Sequence, residues 1–153
     1  MVGGAEADEA HLVAMVCEAL PAHITACVPD AIASAEADGG TLGAICIDVG
    51  SSVVLRFVGG STPWTRVSHD VLEASDVAAV EEALVAGASE DGGREGSWTS
   101  DNRMGMSGTL HRISRSKIDG WTTVLTLRIG HHGCKVAPDP EREHRCPSVN
   151  LAP

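Results

Sequence analysis

Aromatic residues are scarce in this sequence. Three tryptophans and one phenylalanine occur among 153 residues, and tyrosine is absent. Proteins that bind single-stranded nucleic acid without sequence preference stack the bases on neighbouring aromatic side chains. Such a platform needs more aromatic residues than this chain has, so the composition disfavours direct binding of nucleic acid.

Phosphate-binding loops and long apolar runs are also missing. Neither GxxxxGK[ST] nor a GxGxxG following a strand occurs, and the glycine pairs at 39, 59 and 92 do not precede a helix start that would direct amides at a phosphate. No apolar run approaches the ~20 residues of a membrane span, and the opening MVGGAEADE is acidic where a signal peptide is basic. These absences predict no nucleotide cofactor, no membrane partner and a cytoplasmic location.

No catalytic constellation is recognisable in the chain. Ser68, His69 and Asp70 are adjacent, but a nucleophile and its base meet across a fold beside an oxyanion hole, and neighbours on an extended chain diverge. The sequence therefore predicts a protein without enzymatic activity.

The cysteines do not suggest a disulfide framework. They number five, an odd count, and no CxxC pair occurs. Cys17, Cys27 and Cys46 lie in apolar stretches, which is typical of buried small side chains.

The C-terminal segment contains one candidate metal site. His132 and Cys134 form an HxC pair, and nine residues later His144 and Cys146 form a second. Two nitrogen and two sulfur ligands suit tetrahedral zinc, and four protein ligands imply a structural site instead of a catalytic one. Three alternatives stay open: His131 as the partner of Cys134, a Cys134–Cys146 crosslink, and a polar tail without metal.

Charge is distributed unevenly. Residues 1–101 contain 17 Asp and Glu against 3 Lys and Arg, whereas residues 102–153 contain 4 against 8, within a net charge of -10. An acidic face attracts basic partners and repels phosphate backbones. This pattern predicts a protein partner with a basic surface, although acidic residues also serve solubility alone.

Hydrophobic periodicity predicts the order of the elements. Helical spacing runs from Ala5 to Ala37, with interruptions at Pro21 and Pro29. Its two apolar stripes are Leu12, Met15, Val16, Ala19 and Leu20, then Ile24, Val28, Ile32 and Ala35. A nearly continuous apolar run from Leu42 to Val49, typical of a strand covered on both faces, pairs through a Gly-Ser turn with Val53 to Val58.

A second helix and a second hairpin follow. Ser75 is a candidate N-cap, with Val77, Val80, Leu84 and Val85 on the inner face and Glu81 and Glu82 outside. Met104 to Ser116 and Trp121 to Ile129 are the strands of the second hairpin. In the latter, Leu125 and Leu127 alternate with Thr126 and Arg128, as in a half-buried strand.

These elements predict an α+β fold. Strands joined by short turns pair antiparallel, and amphipathic helices must cover one face of the sheet. We expect about four to five antiparallel strands covered by helices in a two-layer sandwich. Residues 1–132 would form a single domain, and the proline-rich residues 133–153 an irregular tail.

Loop residues are the candidate contacts for a partner. Trp64 and Arg66 lie in STPWTR, and Trp98 follows the glycine- and acid-rich segment that contains Asp91 and Glu95. Tryptophan contributes strongly to interface energies where it is exposed, but either tryptophan can instead fold back over the core. The basic set Arg103, Arg112, Arg115 and Lys117 can contact an anion, or can prevent aggregation if the hairpin lies at a sheet edge.

The runs AIASAEADGGTLGAICIDVGSSVVLRFVGG, VLEASDVAAVEEALV and GTLHRISRSKIDGWTTVLTLRIG resemble the PAS-like N-terminal domain of secretion and pilus-retraction ATPases. The similarity covers about residues 31–130 and implies a PAS-like or profilin-like order of helix, hairpin, helix, hairpin. The chain departs from that family at Ala44, Ile45 and Cys46, where acidic and histidine residues are usual. Leu110, His111 and Arg112 replace its arginine-rich third strand, and the ATPase half with its phosphate loop is missing.

The residues and the resemblance both favour a non-catalytic acidic module that binds a protein during assembly or regulation of a larger complex. One alternative is an inhibitor of the immunity or anti-defence type that blocks the basic groove of a nucleic-acid enzyme. A second is a small zinc protein or metal-dependent enzyme that uses the C-terminal histidines and cysteines. A homodimer is expected if a long hairpin edge is left unpaired.

Overall fold

Three helices open the chain, and two three-stranded units separated by a fourth helix follow. The computed structural model describes the backbone of residues 2–89, 98–106 and 109–130, with the side chains of residues 9–87, 98–106 and 109–130. The helices are α1 (Val2–Ala19), α2 (Ala22–Thr25), α3 (Val28–Ala37) and α4 (Ala74–Ser89). The strands are β1 (Thr41–Asp48), β2 (Val54–Val58), β3 (Trp64–Arg66), β4 (Arg103–Gly105), β5 (Arg112–Ile118) and β6 (Trp121–Arg128).

All six strands form one antiparallel sheet in the order β3-β2-β1-β6-β5-β4. The two units meet where β1 pairs with β6 at the centre of the sheet. Helix α3 packs on β1, α4 packs on β6, and α1 packs on α4. The predicted α+β fold is confirmed, with six strands where about four to five were expected. The two extra strands, β3 and β4, have three residues each, too few to show an alternating pattern.

The core lies between the sheet and the helices. Its fully buried side chains from the sheet include Ile45, Ile47, Leu55, Leu125 and Leu127, and α4 contributes Val77, Val80 and Leu84. Burial along β1 alternates instead of being continuous. The prediction that β1 is covered on both faces is therefore wrong, because the described helices all pack on one side of the sheet.

Prolines divide the N-terminal helical region as their chemistry requires. Pro21 lies between α1 and α2, and Pro29 lies in the first turn of α3, where its missing amide hydrogen breaks no bond. In α4 the Asp76 carboxylate accepts a hydrogen bond of 2.8 Å from the Glu73 backbone amide. This contact makes Glu73 the N-cap residue, so the prediction of Ser75 is wrong by two positions.

Turns with positive φ join the strands. Asp119 and Gly120, between β5 and β6, have φ angles of 53° and 83°, the combination that a tight two-residue hairpin needs. Gly60, with φ of 68°, lies so close to the Gly40 backbone that a Cβ would stand 2.9 Å from its nitrogen. Glycine is therefore required where the end of α3 meets the β2–β3 turn.

The cysteines differ from their prediction at one position. Cys17 and Cys46 are half-buried, but Cys27 is exposed, so its predicted burial is wrong. Cys27 directly precedes α3, whose buried stripe begins at Val28. Desolvation by burial, followed by the nearby charge of Glu18, raises the pKa of the Cys17 thiol.

Ser52 places a polar side chain in the core. Its side chain is buried, and its hydroxyl has no hydrogen-bond partner among the described residues. Because a buried unpaired hydroxyl costs about 1–3 kcal/mol of desolvation, we expect Ser52→Ala to leave stability unchanged or raise it by roughly 1 kcal/mol. Urea unfolding of both proteins measures this difference. The control is Thr25→Ala, since the equally buried Thr25 hydroxyl donates to the Pro21 carbonyl; a larger loss for Ser52→Ala than for this control would contradict the prediction.

The described part of the chain contains no helix that is long and apolar enough to cross a membrane. Residues 131–153 lie outside the described residues. The boundary at residue 132 and the irregular tail at 133–153 therefore stay predictions.

Candidate functional site

Opposite charges are segregated between the two layers of the molecule. None of the four helices that the structure describes contains a lysine or an arginine. Within the described residues every lysine and arginine lies in a strand: Arg56, Arg66, Arg103, Arg112, Arg115, Lys117 and Arg128. The helical layer is therefore acidic and the sheet basic, a sharper division than the one along the sequence.

The sheet surface that faces away from the helices, which we call the open face, carries most of these arginines. Strand alternation places there the neighbours of the buried positions. Strand register then aligns them in two rows across the sheet. The first row is Trp64, Arg56, Ala44, Arg128, Arg112 and Gly105, and the second is Arg66, Val54, Cys46, Thr126, Ser114 and Arg103.

Arginines are direct neighbours in the first row. Arg112 pairs with Arg128 in the β5–β6 register, and side chains at such positions start about 4.5–5.5 Å apart. Arg128 also pairs with Ala44, which pairs with Arg56 on the other side. Like charges directly opposite each other destabilise a sheet. A chain with a net charge of -10 thus gathers its cations where they repel one another.

Few of these charges are neutralised by the described residues. Arg103 forms an ion pair of 3.5 Å with Asp101, and both side chains are mostly exposed. A hydrogen bond from the Thr99 hydroxyl is the main cause that lowers the pKa of Asp101. Across the described ranges, no carboxylate forms an ion pair with the four other arginines of the open face, Arg56, Arg66, Arg112 and Arg128.

The half of the open face formed by β4, β5 and β6 is concave. A groove of about 600 Å³ lies there, and the charged residues of its described lining are Arg103, Arg112, Arg128 and Asp101. Its polar uncharged lining includes Thr99, Ser114 and Thr126. The groove can therefore offer guanidinium and hydroxyl donors to an anion.

One wall of the groove is held by contacts with the helical layer. Arg115 lies on the helix-facing side of β5, and its Nη1 donates to Glu81 Oε1 of α4 over 2.7 Å. Its Nε donates to Asn102 Oδ1 over 3.1 Å, and its guanidinium stacks 4.2 Å from the centre of the Trp98 ring. We call Glu81, Asn102, Arg115, Trp98 and Thr122 the Arg115 cluster; Thr122 donates to the same Glu81 oxygen over 2.9 Å.

The surroundings of Arg115 and the pairing of β5 bear on two expectations. Glu81 is not an outer residue of its helix, because its carboxylate turns inward to Arg115 and Thr122. Arg112 does not lie on a sheet edge, since it pairs with β4 on one side and β6 on the other, and the Arg115 amide donates to the Asn102 carbonyl. Lys117 lies beyond the segment of β5 that pairs with β4, so the expectation of an edge position stands for it. Arg103 lies on the edge strand β4.

Large apolar side chains are exposed at two corners of the open face. Trp64, at the β3 end of the first row, is 55% exposed. Ile118 and Trp121, which pair beside the β5–β6 turn, are 63% and 71% exposed. Exposed tryptophan beside arginine is a composition that protein interfaces favour.

The candidate binding and metal residues predicted from the sequence fall into three groups by their position in the structure. Trp64 and Arg66 lie on the open face, at the β3 ends of the first and second rows. Trp98 is half-buried and packs against the core and Arg115. The remaining candidates lie outside the described residues, so their roles stay predictions: Asp91, Glu95, His132, Cys134, His144 and Cys146.

The described residues include no group of three or more His, Cys, Asp or Glu side chains placed to hold a metal ion. His111 is buried, and its Nδ1 accepts a hydrogen bond of 3.1 Å from the Gly130 amide. This contact joins the segment before β5 to the end of β6.

The expected homodimer depended on a long unpaired hairpin edge. The outer side of β2 pairs with β3 at residues 54–56, and that of β5 pairs with β4 at residues 112–114, which leaves the short end of β5 at residues 116–118 without a described partner strand on that side. Within the described chain the outermost strands have three residues each, which limits pairing with a second copy. The homodimer stays a prediction without that support.

The sequence did not indicate that the arginines of the open face are neighbours, because these residues are far apart in the chain. Arg56 and Arg128 each alternate with buried leucines or phenylalanine, which was a readable signal for an outward position. Their adjacency depends on the pairing of β1 with both β2 and β6, and a single sequence does not show that pairing.

Comparisons of the chain with protein-family models, with curated proteins and with solved structures find no match. The resemblance to the PAS-like domain of secretion and pilus-retraction ATPases therefore stays a prediction, and the open face with its arginine rows is the main indication of function.

Proposed function

We propose that this protein is a non-catalytic binding module that acts in the assembly or regulation of a larger complex, and that its open face receives an acidic segment of a protein partner. The observation that carries this proposal is the direct pairing of Arg112 with Arg128 in a row that also contains Arg56. The arrangement costs stability in the free protein, and an acidic ligand offsets that cost.

Charge complementarity favours a short acidic segment over a long polyanion. Of the described residues, the open face carries five arginines against two acids, Asp48 and Asp101. The described helical layer is strongly acidic, since its helices contain neither lysine nor arginine. A nucleic acid that extended beyond the open face would meet this acidic layer and be repelled, whereas a peptide confined to the open face would not.

A labelled decaglutamate peptide tests the proposal. We expect the unaltered protein to raise the fluorescence anisotropy of the peptide at low salt, with affinity falling as salt rises because exposed charges are screened. The double variant Arg56→Gln, Arg128→Gln should bind more than tenfold more weakly, since each hydrogen bond to a charged group contributes about 1.5–3 kcal/mol.

Lys117→Gln is the matched control for this experiment. Lys117 is exposed, and strand alternation places it on the helix-facing side of β5 with Arg115. Its replacement changes the net charge without altering the open face. Equal loss of affinity in Lys117→Gln and in the arginine variants would show that net charge alone drives binding and would contradict the proposal.

The acidic helical layer supports a second candidate function. Exposed acids on α1, α3 and α4 include Glu18, Asp30, Glu36 and Glu82, and they suit a partner with a basic surface, such as a nucleic-acid enzyme blocked by an inhibitor of the immunity or anti-defence type. A decalysine peptide that binds the Arg56→Gln, Arg128→Gln variant as tightly as the unaltered protein would locate this second surface.

A further inference from the structure

The groove between β4, β5 and β6 differs from the rest of the open face in the type of anion it suits. We propose that it binds a phosphoryl group, carried by a phosphorylated serine or threonine within the acidic segment. This inference rests on the proposed function and adds the chemical feature that the groove recognises.

The local charge balance matches a phosphate dianion. Among the described residues, Arg103, Arg112 and Arg128 line the groove and Asp101 is the one acidic lining residue, which leaves two of these positive charges unbalanced. A phosphorylated side chain carries roughly -1.5 to -2 at neutral pH. A single carboxylate would leave one of the arginine charges in the groove without a counter-ion.

The arrangement of donors also suits three oxygens. Ser114 and Thr126 are directly paired and half-buried on the floor of the groove. Arg103 pairs with Ser114 on one side, and the Arg112–Arg128 pair occupies the next row. Guanidinium groups from two rows and hydroxyls from the floor can thus donate to one tetrahedral anion, whereas a carboxylate has only two oxygens to accept them.

Asp101 shows that the groove accepts an oxyanion at one corner. Its carboxylate contacts Arg103 and accepts the Thr99 hydroxyl proton in a hydrogen bond. The Arg112 guanidinium is held by its own strand, since its Nη1 donates to the His111 carbonyl over 3.3 Å. A Cβ at Gly105 would stand 3.2 Å from Arg112 Nη1. The missing side chain at Gly105 therefore leaves the room in which Arg112 lies.

Three labelled peptides test the inference, each with a central residue flanked by two glutamates on either side. The central residue is phosphoserine, serine or glutamate. We expect the phosphoserine peptide to bind the unaltered protein at least tenfold more tightly than the other two. Arg112→Gln and Arg128→Gln should remove this preference, while Arg66→Gln, outside the groove, should weaken all three peptides by the same factor and preserve the preference.

The variant Arg112→Lys, together with the thermal unfolding midpoint of each variant, separates an effect on peptide binding from an effect on folding. Arg112→Lys retains the charge but not the forked geometry of the guanidinium, so we expect part of the preference to be lost at an unchanged midpoint. The contrary result would be an unfolding midpoint lowered equally in Arg112→Lys and Arg112→Gln, while Arg112→Lys keeps the preference for the phosphoserine peptide. That result would show that Arg112 acts on folding alone, and it would overturn the role of Arg112 in the groove.

Other outcomes separate the inference from the proposed function. Equal binding of the phosphoserine and glutamate peptides would overturn the phosphoryl site and leave the acidic-segment proposal standing, whereas no binding of any peptide would overturn both. Displacement of the phosphoserine peptide by an equal concentration of inorganic phosphate would overturn recognition of a protein segment. Tighter binding of a ten-nucleotide oligouridylate, lost in Arg112→Gln, would assign the groove to nucleic acid instead.

Discussion

Replacing Leu125 with alanine is expected to lower the free energy of unfolding by about 2–5 kcal/mol. Leu125 is fully buried, lies in the central strand β6 and pairs with the equally buried Ile47 of β1. Helix α4 packs on this strand, so the cavity left by the truncated side chain is enclosed on the helix side. Because the stability of a typical domain is only about 5–15 kcal/mol, this substitution would remove a large share of it.

Urea unfolding followed by tryptophan fluorescence measures the effect, and Val124→Ala is the matched control. Val124 is the preceding residue of the same strand, half-buried on the open face and paired with Asp48. Its truncation leaves no enclosed cavity, and we expect a loss of about 1 kcal/mol or less. A larger loss at Val124 than at Leu125 would mean that the helices cover the other face of the sheet, and the assignment of the open face would fail with it.

Breaking the Arg115 cluster is the second substitution with a large expected effect. We expect Arg115→Gln and Glu81→Gln each to destabilise the protein by about 2–4 kcal/mol, since removal of one partner leaves a poorly hydrated charge. The side chains of Arg115 and Glu81 are only 15% and 21% exposed. The double variant should be little worse than either single variant, with a coupling energy of about 1–3 kcal/mol.

A double-mutant cycle of urea unfolding measures that coupling. Arg103→Gln is the control, because the Arg103–Asp101 pair is mostly exposed and such pairs contribute about 0–1 kcal/mol. Additive losses for the Arg115 and Glu81 variants would contradict a direct interaction. Fluorescence of Trp98 offers a second readout, because the variant Arg115→Gln loses the cation that stacks on its ring.

The Arg115 cluster also connects stability with the groove. Trp98 and Asn102 belong to the segment that contains Thr99 and Asp101, which line the groove. Arg115 attaches this segment to α4 through Glu81. We therefore expect loss of Arg115 to loosen one wall of the groove as well as to destabilise the fold.

Sequence periodicity was sufficient for most of the helices and long strands. The stripe that begins with Leu12 and Val16 packs inward as predicted, and Leu125 and Leu127 are buried while Arg128 is exposed. These predictions succeed because helical and extended backbones repeat their side-chain directions at 3.6 and 2 residues. The alternation of apolar and polar residues thus indicates both the element and its buried side.

Periodicity was insufficient where elements are short or where contacts are distant. Strands β3 and β4 have three residues each, less than two full repeats of the alternation. The prediction that Glu81 faces solvent was wrong, because only its position on the helix was considered. Its hydrogen-bond partners Arg115 and Thr122 lie 34 and 41 residues away in the sequence. No local pattern encodes such a contact.

By itself the sequence determined the α+β class, the order of the elements and the outward direction of Arg128, because each depends on local backbone geometry and hydrophobic spacing. Only the tertiary structure decided that Arg56, Arg112 and Arg128 share one row. Strand register sets that row, and register depends on pairing between β1 and β6, whose paired residues are about 80 positions apart in the chain.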